Sequence, residues 1–485
     1  MTTYSKREIR FIIGGAMLAM LLASLDQTVV ATALATVAGE LGDVALISWV
    51  VTGYLLSSTC ATPIAGKLSD LYGRRVVLLT GLGIFIGGSI ACALSGSMPM
   101  LIAARLVQGI GGGTLIATSQ AVIADVIVPR ERGRYSGYFA MVFASSAVAG
   151  PVLGGILTHH FGWPSIFWIN IPLGLLAIGV IAPALRRLPG RRHDASIDYL
   201  GVTLFSFSAA ALLLGLSWGG VRYEWSDGRL LAIFALAGVA GAAFLRRQTR
   251  VAHPILPPKF FSDPVVGPAL SAVFLVYGTY LLTIVMAPVF MQVALGVPVD
   301  QVGVLMIPMT IGTPLGAGLN GRLTRRSGRY KVIPLITIPI AAGGLALLAL
   351  RIHSLGATEV SLILLSMGLG AGPLFSSSTV AVQNAVERAD LGAVTGSMAF
   401  VRALGGAVIV ACASALVLGL TTKWVHGLGA LGNLEDLVRQ RLSEDQRQTM
   451  VDIFQVLFAA ASGAIALGWL IFTRVAERPL RDRRD

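Results

Sequence analysis

Charged residues and cysteines are both scarce in this sequence. Asp, Glu, Lys and Arg make up 13% of the 485 residues, whereas soluble domains carry roughly 25%. This scarcity, together with a mean hydropathy of +0.78, excludes an ordinary soluble globular protein. The three cysteines, Cys60, Cys92 and Cys412, all fall inside apolar runs, which argues against a disulfide framework. The composition indicates a polytopic membrane protein.

The signals of several other functional classes are also missing. The sequence has no zinc-ligand spacing, phosphate-binding loop or nucleophile elbow, and His159 and His160 stand without a partnering motif. We therefore expect no metal, no cofactor and no catalytic centre, so an integral membrane enzyme is the least favoured class. The net charge of +13 is explained better by membrane topology and attraction to anionic lipid than by nucleic-acid binding.

Long apolar runs dominate what is present. A membrane-spanning helix needs roughly 20 mainly apolar residues, and fourteen segments of this sequence meet that requirement. They lie near residues 11–37, 46–65, 76–95, 99–123, 135–158, 166–185, 198–217, 230–246, 265–290, 302–320, 332–350, 359–382, 393–418 and 453–473.

Basic residues mark one side of the predicted bundle. If the N-terminus is cytoplasmic, most of the 37 Lys and Arg residues fall on the cytoplasmic side, where membrane proteins are enriched in them. This alternation predicts that both termini are cytoplasmic. In the outer segment 419–452, apolar residues from Leu434 to Leu442 share a helical face, and Ser443 with Gln446 fits a capping box. We expect a short amphipathic helix there.

Two loops of the sequence carry one pattern. The stretch "GKLSDLYGRR" (Gly66–Arg75) follows the second predicted helix, and "GRLTRRSGR" (Gly321–Arg329) follows the tenth. Both read G-x-L-x-x-x-x-G-R. The repeat predicts two homologous six-helix halves separated by an inserted helix pair. The expected division is residues 1–190 for the N-terminal bundle, 191–260 for the insertion and 261–485 for the C-terminal bundle.

Seven stretches in chain order resemble motifs of the major facilitator superfamily and its fourteen-helix drug:proton antiporter branch. They are "LDQTVVATAL" from Leu25, "GKLSDLYGRR" from Gly66, "LIAARLVQGIGGG" from Leu101, "GPVLGG" from Gly150, "FWINIPLG" from Phe167, "FMQVALG" from Phe290 and "RALGGAVIVA" from Arg402. The resemblance implies two six-helix bundles around a central cavity that opens alternately to the two faces of the membrane, as inverted-repeat transporters do.

Asp26 interrupts the first apolar run. Counting 1.5 Å per residue from Phe11 places it about 22 Å from the inner end of its helix. Arg105, on the descending fourth helix, reaches about the same depth. Such intramembrane charges usually face the bundle interior, pair, and mark ion pathways. One interpretation is a static salt bridge. The favoured one is a protonatable switch, because burial favours a neutral carboxyl and a nearby guanidinium favours the charged form. The family resemblance implies proton coupling at these residues.

The first loop motif lies too far from the cavity to touch a substrate. One interpretation makes its arginines topology determinants and Gly73 a turn residue. The other follows from the resemblance and gives the motif the role of a latch that holds the two halves together in the outward-facing state. The latch residues are Gly66, Asp70, Gly73, Arg74 and Arg75. Because Arg325 stands at the position of Asp70 in the second copy, we expect an asymmetric latch.

The fifth helix contains a Gly-Pro break. Pro151 removes a backbone donor and favours a kink, and the surrounding glycines allow close helix packing. One interpretation is a packing kink alone. The resemblance implies an antiporter motif, formed by Gly150, Pro151, Gly154 and Gly155, that lines the contact with the opposite half and limits proton leak.

Candidate cavity residues are polar or aromatic side chains in the spans. Methionine and aromatic side chains suit adaptable apolar binding surfaces, although such stripes are often core or lipid-facing. The candidates are Gln27, Thr28, Trp49, Tyr54, Gln108, Tyr277, Tyr280, Met286, Phe290, Gln292 and Arg402.

Arg402 has no acidic residue at its depth in any predicted span. One interpretation is that it bonds backbone carbonyls or the hydroxyls of residues 376–379. In the other, Arg402 faces the cavity and favours neutral, zwitterionic or anionic substrates, because the membrane interior then holds one acid against two arginines.

The sequence therefore predicts a multi-pass protein of the cell membrane that exports lipophilic small molecules by proton antiport. Its expected partners are a small-molecule substrate, protons and membrane lipid, with no nucleic acid, and it is expected to act as a monomer. The main alternative is an exporter of lipid or cell-envelope precursors. A transport-dead receptor or scaffold is less favoured, because a scaffold does not need paired charges inside the membrane.

Overall fold

The computed structural model describes residues 5–43, 46–187, 198–220, 222–251, 253–425 and 443–480. Within these residues the chain is helical, apart from connecting turns and one isolated β-bridge between Gly219 and Tyr223. The expected all-α membrane fold is confirmed.

The N-terminal bundle contains six long helices. They are α1 (Lys6–Leu41), α2 (Ile47–Tyr72), α3 (Arg74–Ala93), α4 (Met98–Val126), α5 (Pro129–Phe161) and α6 (Asn170–Ala184), the last preceded by the short helix Ser165–Trp168. A capping box, in which Ser5 and Glu8 satisfy each other's backbone N–H groups, starts α1. The first apolar run therefore forms one uninterrupted helix through Asp26.

Eight further long helices complete the chain. The inserted pair is α7 (Tyr199–Trp218) and α8 (Gly228–Gln248). The C-terminal bundle contains α9 (Val266–Val293), α10 (Ile307–Ser327), α11 (Val332–Arg351), α12 (Ala357–Ala385), α13 (Leu391–Trp424) and α14 (Glu444–Thr473). The short helices Lys259–Ser262 and Val299–Leu305 precede α9 and α10.

Thirteen helices of the described residues are long and apolar enough to cross a membrane, and the 26-residue α2 brings the bundle to fourteen. The middle of α2 is less apolar because it carries the hydroxyls of Thr52, Ser57, Ser58, Thr59 and Thr62.

The last helix begins earlier than the sequence predicts. The capping box of Ser443 and Gln446 is present, and it starts the 30-residue α14 at Glu444. The amphipathic helix expected at Leu434–Leu442 lies outside the described residues.

The two bundles touch at the end that carries the repeated loops, which we call the loop-motif end. Contact runs along α2 with α13 and along α5 with α10. A Cβ on Gly66 would collide with the carbonyl oxygen of Gly392, and one on Gly137 would lie 3.2 Å from the Cα of Gly318. Small residues therefore let the backbones approach, and the molecule is closed at this end.

The inserted pair packs on the seam between the bundles. α7 and α8 pack on each other, and α7 also contacts α2 and α13. The ring centroids of Phe205 on α7 and Phe400 on α13 are 4.9 Å apart, and those of Trp49 and Trp218 are 5.7 Å apart. This matches the expected architecture. The domain boundaries stay predictions, and the first, at residues 190–191, lies outside the described residues.

Candidate functional site

Asp26 is buried inside the N-terminal bundle, with 2% of its surface exposed. Arg105 of α4 donates from Nη1 to Asp26 Oδ2 at 2.5 Å, so the two residues that share a depth are in contact. Gln108, three residues further along α4 and on the same helical face, donates from Nε2 to Asp26 Oδ1 at 2.8 Å. The carboxylate is therefore held by two neighbouring side chains of one helix.

Two residues that sequence reasoning missed complete the network. Asn170, at the start of α6, donates from Nδ2 to Asp26 Oδ1 at 2.8 Å. Ser89 of α3 accepts from Gln108 Nε2 at 2.7 Å. The available signal for Asn170 was its place as the one amide in the "FWINIPLG" motif. Ser89, in a glycine-rich apolar helix, offered no comparable signal.

Arg105 is also fully enclosed. Its Nε donates to the backbone carbonyl of Val50 at 3.1 Å. The guanidinium carbon lies 4.2 Å from the ring centroid of Tyr54 and 5.7 Å from that of Phe167. Aromatic faces attract such a cation most strongly where water is excluded. The charges of the pair thus balance each other, and both oxygens of Asp26 accept hydrogen bonds.

This arrangement can exist in two chemical forms. As a carboxylate, Asp26 is a pure acceptor, which suits the N–H donors aimed at it. A proton on the carboxyl turns one oxygen into a donor and removes the charge that holds Arg105. Losing one partner of a buried ion pair is strongly destabilising, by about 3–5 kcal/mol, so protonation of Asp26 would leave Arg105 with an uncompensated buried charge. The pair is therefore a candidate site for coupling a proton to a conformational change.

A second cluster lies at the loop-motif end and joins the two bundles. Asp70 on α2 accepts hydrogen bonds from the backbone N–H groups of Gly392 at 2.9 Å and Ala393 at 2.7 Å. These groups begin α13, where a helix attracts negative charge. Arg74 pairs with Asp70 at 2.6 Å and with Asp125 of α4 at 2.8 Å. Asp70 thus connects the halves, and Arg74 positions it.

Two lysines lie near the acid at the start of α13, and one of them, Lys67, belongs to the other bundle. Asp390, just before α13, lies 2.6 Å from Lys259 Nζ and 4.0 Å from Lys67 Nζ of α2. Sequence reasoning missed Asp390, Lys67, Asp125 and Gly392 as members of the cluster, since their partners come from distant parts of the chain.

The remaining loop residues have local roles. Gly73 has a φ of +90°, a conformation that favours glycine, so it forms the turn between α2 and α3. Arg75 is half-buried, and its Nε has no hydrogen-bond partner in the described part of the chain. In the second loop, Gly328 has a φ of +73° and Arg325 replaces the carboxylate.

The antiporter-motif glycines pack within their own bundle. A Cβ on Gly150 would collide with Thr28 of α1, and one on Gly154 with Thr32. Thr28 also donates to the carbonyl oxygen of Ser146 at 2.8 Å. The expectation that Gly150 and Gly154 line the contact with the opposite half is wrong for this conformation. Pro151 and Gly155 lie on the exposed face of α5.

Four of the residues predicted to line the cavity are buried in the interior of a bundle. Tyr54 and Gln108 are fully buried in the Asp26–Arg105 network, and Met286 and Phe290 are fully buried in the apolar core of the C-terminal bundle. The Phe290 ring packs at 5.4 Å from that of Phe454 on α14. Counting residues along one helix predicts depth, and helical spacing predicts which residues share a face, but neither shows which neighbour covers that face. These predictions are therefore wrong in this state.

The other candidates keep some exposed surface. Gln27 and Thr28 are half-buried on α1, Trp49 is half-buried against the inserted pair, and Gln292 is half-buried near the end of α9. Gln292 donates to the Pro288 carbonyl oxygen at 3.2 Å.

Arg402 lies in an aromatic cluster. Its guanidinium carbon is 5.4 Å from the ring centroid of Tyr277 on α9 and 5.6 Å from that of Phe375 on α12. Tyr280 packs against Phe375 at 5.8 Å. The expected alternative of bonds to backbone carbonyls or to the hydroxyls of residues 376–379 is not observed among the described residues, where Arg402 Nε has no hydrogen-bond partner.

This arrangement of helices and loop motifs matches a known family. The sequence profile of the Major Facilitator Superfamily matches residues 16–410. The chain belongs to the major facilitator superfamily. The matched residues include most of both bundles and the inserted pair, so membership covers the Asp26–Arg105 network and the loop-motif junction alike.

Relatives within the superfamily have names that describe transport. The chain is 34% identical over 405 residues to the multidrug transporter protein MdtP of Bacillus subtilis, covering 83% of this chain and 74% of the relative. It is 32% identical over 477 residues to an uncharacterized MFS-type transporter of Mycobacterium tuberculosis, covering 96% and 69%. These similarities are consistent with the drug-efflux branch and make the chain a multi-pass membrane transporter.

A solved structure shares the fold at low sequence identity. The crystal structure of a bacterial homologue of the iron transporter ferroportin, in an outward-facing state, superposes with a TM-score of 0.64 at 13% identity. The match covers 96% of this chain and 99% of that one. At this identity the likeness concerns the fold alone.

Proposed function

We propose that this transporter exports lipophilic small molecules from the cytoplasm in exchange for protons. The observation that carries the proposal is the buried Asp26–Arg105 pair, because an ionisable acid inside a membrane bundle marks an ion pathway by default. The names of its relatives, multidrug transporter and multidrug resistance protein, support a drug-like cargo. The protein works as a monomer in the cell membrane and needs no cofactor.

In this mechanism Asp26 carries the proton. In the structure described here its carboxylate is held by Arg105, Gln108 and Asn170. A proton arriving from the outer side neutralises it, so these donors lose their charged acceptor. α1 is then free to move against α4 and α6. Release of the proton on the cytoplasmic side restores the pair and returns the network to its closed form.

The contact of Asp70 with the start of α13, the loop-motif junction, opens and closes during the transport cycle. Asp70 holds the first turn of α13, and this contact exists only when the bundles meet at that end. If that end is cytoplasmic, as the distribution of basic residues indicates, the structure is the outward-facing state. In that outward-facing state the substrate is released to the outer side. Protonation of Asp26 then favours breaking the junction and reopening the cavity toward the cytoplasm.

Transport in everted membrane vesicles tests the proposal. An imposed pH gradient, acidic inside, should drive substrate uptake by the wild type. Asp26→Asn should lose this driven uptake, because Asn keeps the shape of Asp but cannot titrate. Its amide NH2 faces N–H donors and Arg105 loses its counter-charge, so the amount of folded protein in the membrane is measured beside transport, and the folded fraction should retain substrate exchange between the two sides without a gradient. The matched control is Glu40→Gln on the same helix. The carboxylate of Glu40 is exposed and accepts from Trp163 Nε1 at 2.8 Å, so driven uptake should persist.

The outcomes separate the rival functions. Gradient-driven uptake by Asp26→Asn would remove Asp26 from the coupling mechanism. Driven uptake of a lipid or cell-envelope precursor, with none of drug-like compounds, would favour the alternative cargo. Absence of both uptake and exchange in the wild type, across drug-like and lipid substrates, would favour a receptor or scaffold.

A further inference from the structure

Arg402 and its neighbours form a cluster that the coupling mechanism does not use. The side chains come from the four helices α9, α10, α12 and α13, and they are Tyr277, Tyr280, Thr313, Phe375 and Arg402. The arginine and its three aromatic neighbours are half-buried, which leaves each with accessible surface. Arg402 lies about 16 Å along α13 from Leu391, near the middle of the membrane-spanning region.

The charge of Arg402 is not balanced by an acid. In the described part of the chain, no Asp or Glu forms an ion pair with it, in contrast with Arg105. A guanidinium stays charged at all relevant pH values, and a charge away from water is unfavourable unless it is paired. The rings of Tyr277 and Phe375 stabilise the cation, but aromatic faces do not neutralise it.

Part of the hydrogen-bonding capacity of Arg402 is also unused. Its Nε is buried and has no hydrogen-bond partner among the described residues. A guanidinium presents five N–H donors in one plane, and this fork matches the two oxygens of a carboxylate or sulfonate. An arriving anion would therefore supply the charge and the acceptors that the protein itself does not.

The neighbouring side chains suit an amphiphilic anion. The Thr313 hydroxyl donates to the Tyr280 hydroxyl oxygen at 3.1 Å, so the Tyr280 proton remains available to a further acceptor. Tyr277 and Phe375, with ring centroids 5.3 Å apart, offer apolar surface beside the cation. The cluster thus combines a cationic fork, a hydroxyl donor and aromatic surface.

We propose that Arg402, Tyr277, Tyr280 and Phe375 form a binding subsite for the acidic group of a lipophilic organic anion. The inference rests on the proposed function, because it assigns the substrate class of that exporter. The guanidinium binds the carboxylate or sulfonate, and the rings pack on the apolar part next to it. A dication is disfavoured at this subsite by repulsion from Arg402.

Two probes that differ in one group test the subsite at equilibrium, without a gradient. 8-Anilinonaphthalene-1-sulfonate carries a sulfonate, and N-phenyl-1-naphthylamine is the same scaffold without it. Binding of each to purified protein is measured by fluorescence titration. Arg402→Gln should weaken binding of the sulfonate by about ten- to hundredfold, the range of one charge-assisted hydrogen bond. Binding of the neutral probe should change less than about twofold.

Two further variants keep the result interpretable. Arg402→Lys retains the charge but loses the planar fork, so it should bind the sulfonate with intermediate affinity. Arg351→Gln removes an exposed arginine from the end of α11 and should leave both affinities unchanged. Unchanged melting temperatures would establish that the variants are folded.

Equal weakening of both probes by Arg402→Gln would overturn the subsite, since it would indicate a structural arginine. Unchanged sulfonate binding would overturn it as well. Neither result depends on proton coupling. Arg402→Gln could weaken sulfonate binding alone while the wild-type protein fails the gradient-driven uptake test. That combination would refute the proposed antiport and leave the subsite standing.

Discussion

Arg105 in the N-terminal bundle and Arg402 in the C-terminal bundle both lie within membrane-spanning helices, and they differ in their partners. Arg105 has a carboxylate at 2.5 Å, a glutamine, a backbone carbonyl and two rings around it. Arg402 has two rings and no described acid. In the proposed mechanism the paired charge is switched by a proton, and in the proposed subsite the unpaired charge binds a ligand. The two bundles thus share a six-helix architecture and differ in the surroundings of their intramembrane arginines.

The largest effect should come from removing one member of the N-terminal pair. Arg105→Ala leaves Asp26 buried without a counter-charge, which should destabilise the protein by about 3–5 kcal/mol and abolish transport. The melting temperature and the amount of folded protein in the membrane would show this. Arg402→Ala should cause much less destabilisation, because it removes a charge that no acid depends on. Equal losses of stability from the two substitutions would contradict the comparison.

A double substitution sharpens the first prediction. Arg105→Gln and Asp26→Asn together remove both charges, and replacing a buried pair by neutral groups is often close to neutral for stability. The double variant should therefore recover most of the stability that Arg105→Gln loses alone, as a double-mutant cycle measures. Gradient-driven transport should stay absent. Additive losses of stability would mean that the two side chains are not energetically coupled.

The comparison extends to the two loop motifs. Asp70→Asn weakens a charge-assisted contact between the bundles, worth roughly 1.5–3 kcal/mol, so the closed junction should become about ten- to hundredfold less populated. A cysteine at Gly155, exposed on α5, reports this conformation in a background that lacks the three native cysteines. Gly155 lies about five helical turns beyond Gly137, which packs against Gly318 of α10, so both are on the face of α5 that is turned toward the other bundle. The labelling rate of this cysteine should fall in Asp70→Asn.

Arg325→Gln is the matched change in the second loop. Arg325 stands at the position that Asp70 occupies in the first loop, so no carboxylate is present there. We expect its effect on Gly155→Cys labelling to be clearly smaller. If both loop substitutions changed labelling alike, the junction would be symmetric and the role assigned to Asp70 would be lost.

The smallest effect concerns one hydroxyl in the C-terminal bundle. Tyr280→Phe keeps the ring and removes the group that accepts from Thr313. A neutral hydrogen bond contributes about 0.5–1.5 kcal/mol, so the affinity for 8-anilinonaphthalene-1-sulfonate should fall by about two- to tenfold. Titration of the neutral probe serves as the control. A loss as large as that from Arg402→Gln would assign the main contact to the tyrosine.

The sequence predicted well what depends on one helix at a time. Hydropathy located the fourteen helices, and counting residues placed Asp26 and Arg105 at one depth, where they are in contact. It also identified Asp70 as a residue of the interface between bundles. The helices and the shared depth follow from the rise per residue of a helix and the thickness of a membrane, which need no knowledge of the neighbouring helices. The assignment of Asp70 came from the resemblance of its loop to the family motif.

What depends on the rotation of several helices was not predictable. Gln108 lies three residues from Arg105, and helical spacing alone put it on the same face. Whether that face met a cavity or a closed network depended on α1, α3 and α6. Phe290 became core because α14 brings Phe454 and Phe458 against it, and Met286 is buried in the same apolar cluster. Tyr277 and Tyr280, about two to four turns earlier on α9, kept exposed surface.

The most direct test of the account measures protons at Asp26. Purified transporter in weakly buffered detergent solution, at a pH where part of the population carries the proton, is mixed with a transported substrate while a pH-sensitive dye is followed. Wild-type protein and Glu40→Gln should release protons on substrate binding, because substrate and proton favour opposite forms of the network. Asp26→Asn should bind the substrate and release none. Proton release of wild-type size from Asp26→Asn would contradict the claim that this carboxyl couples export to the proton gradient.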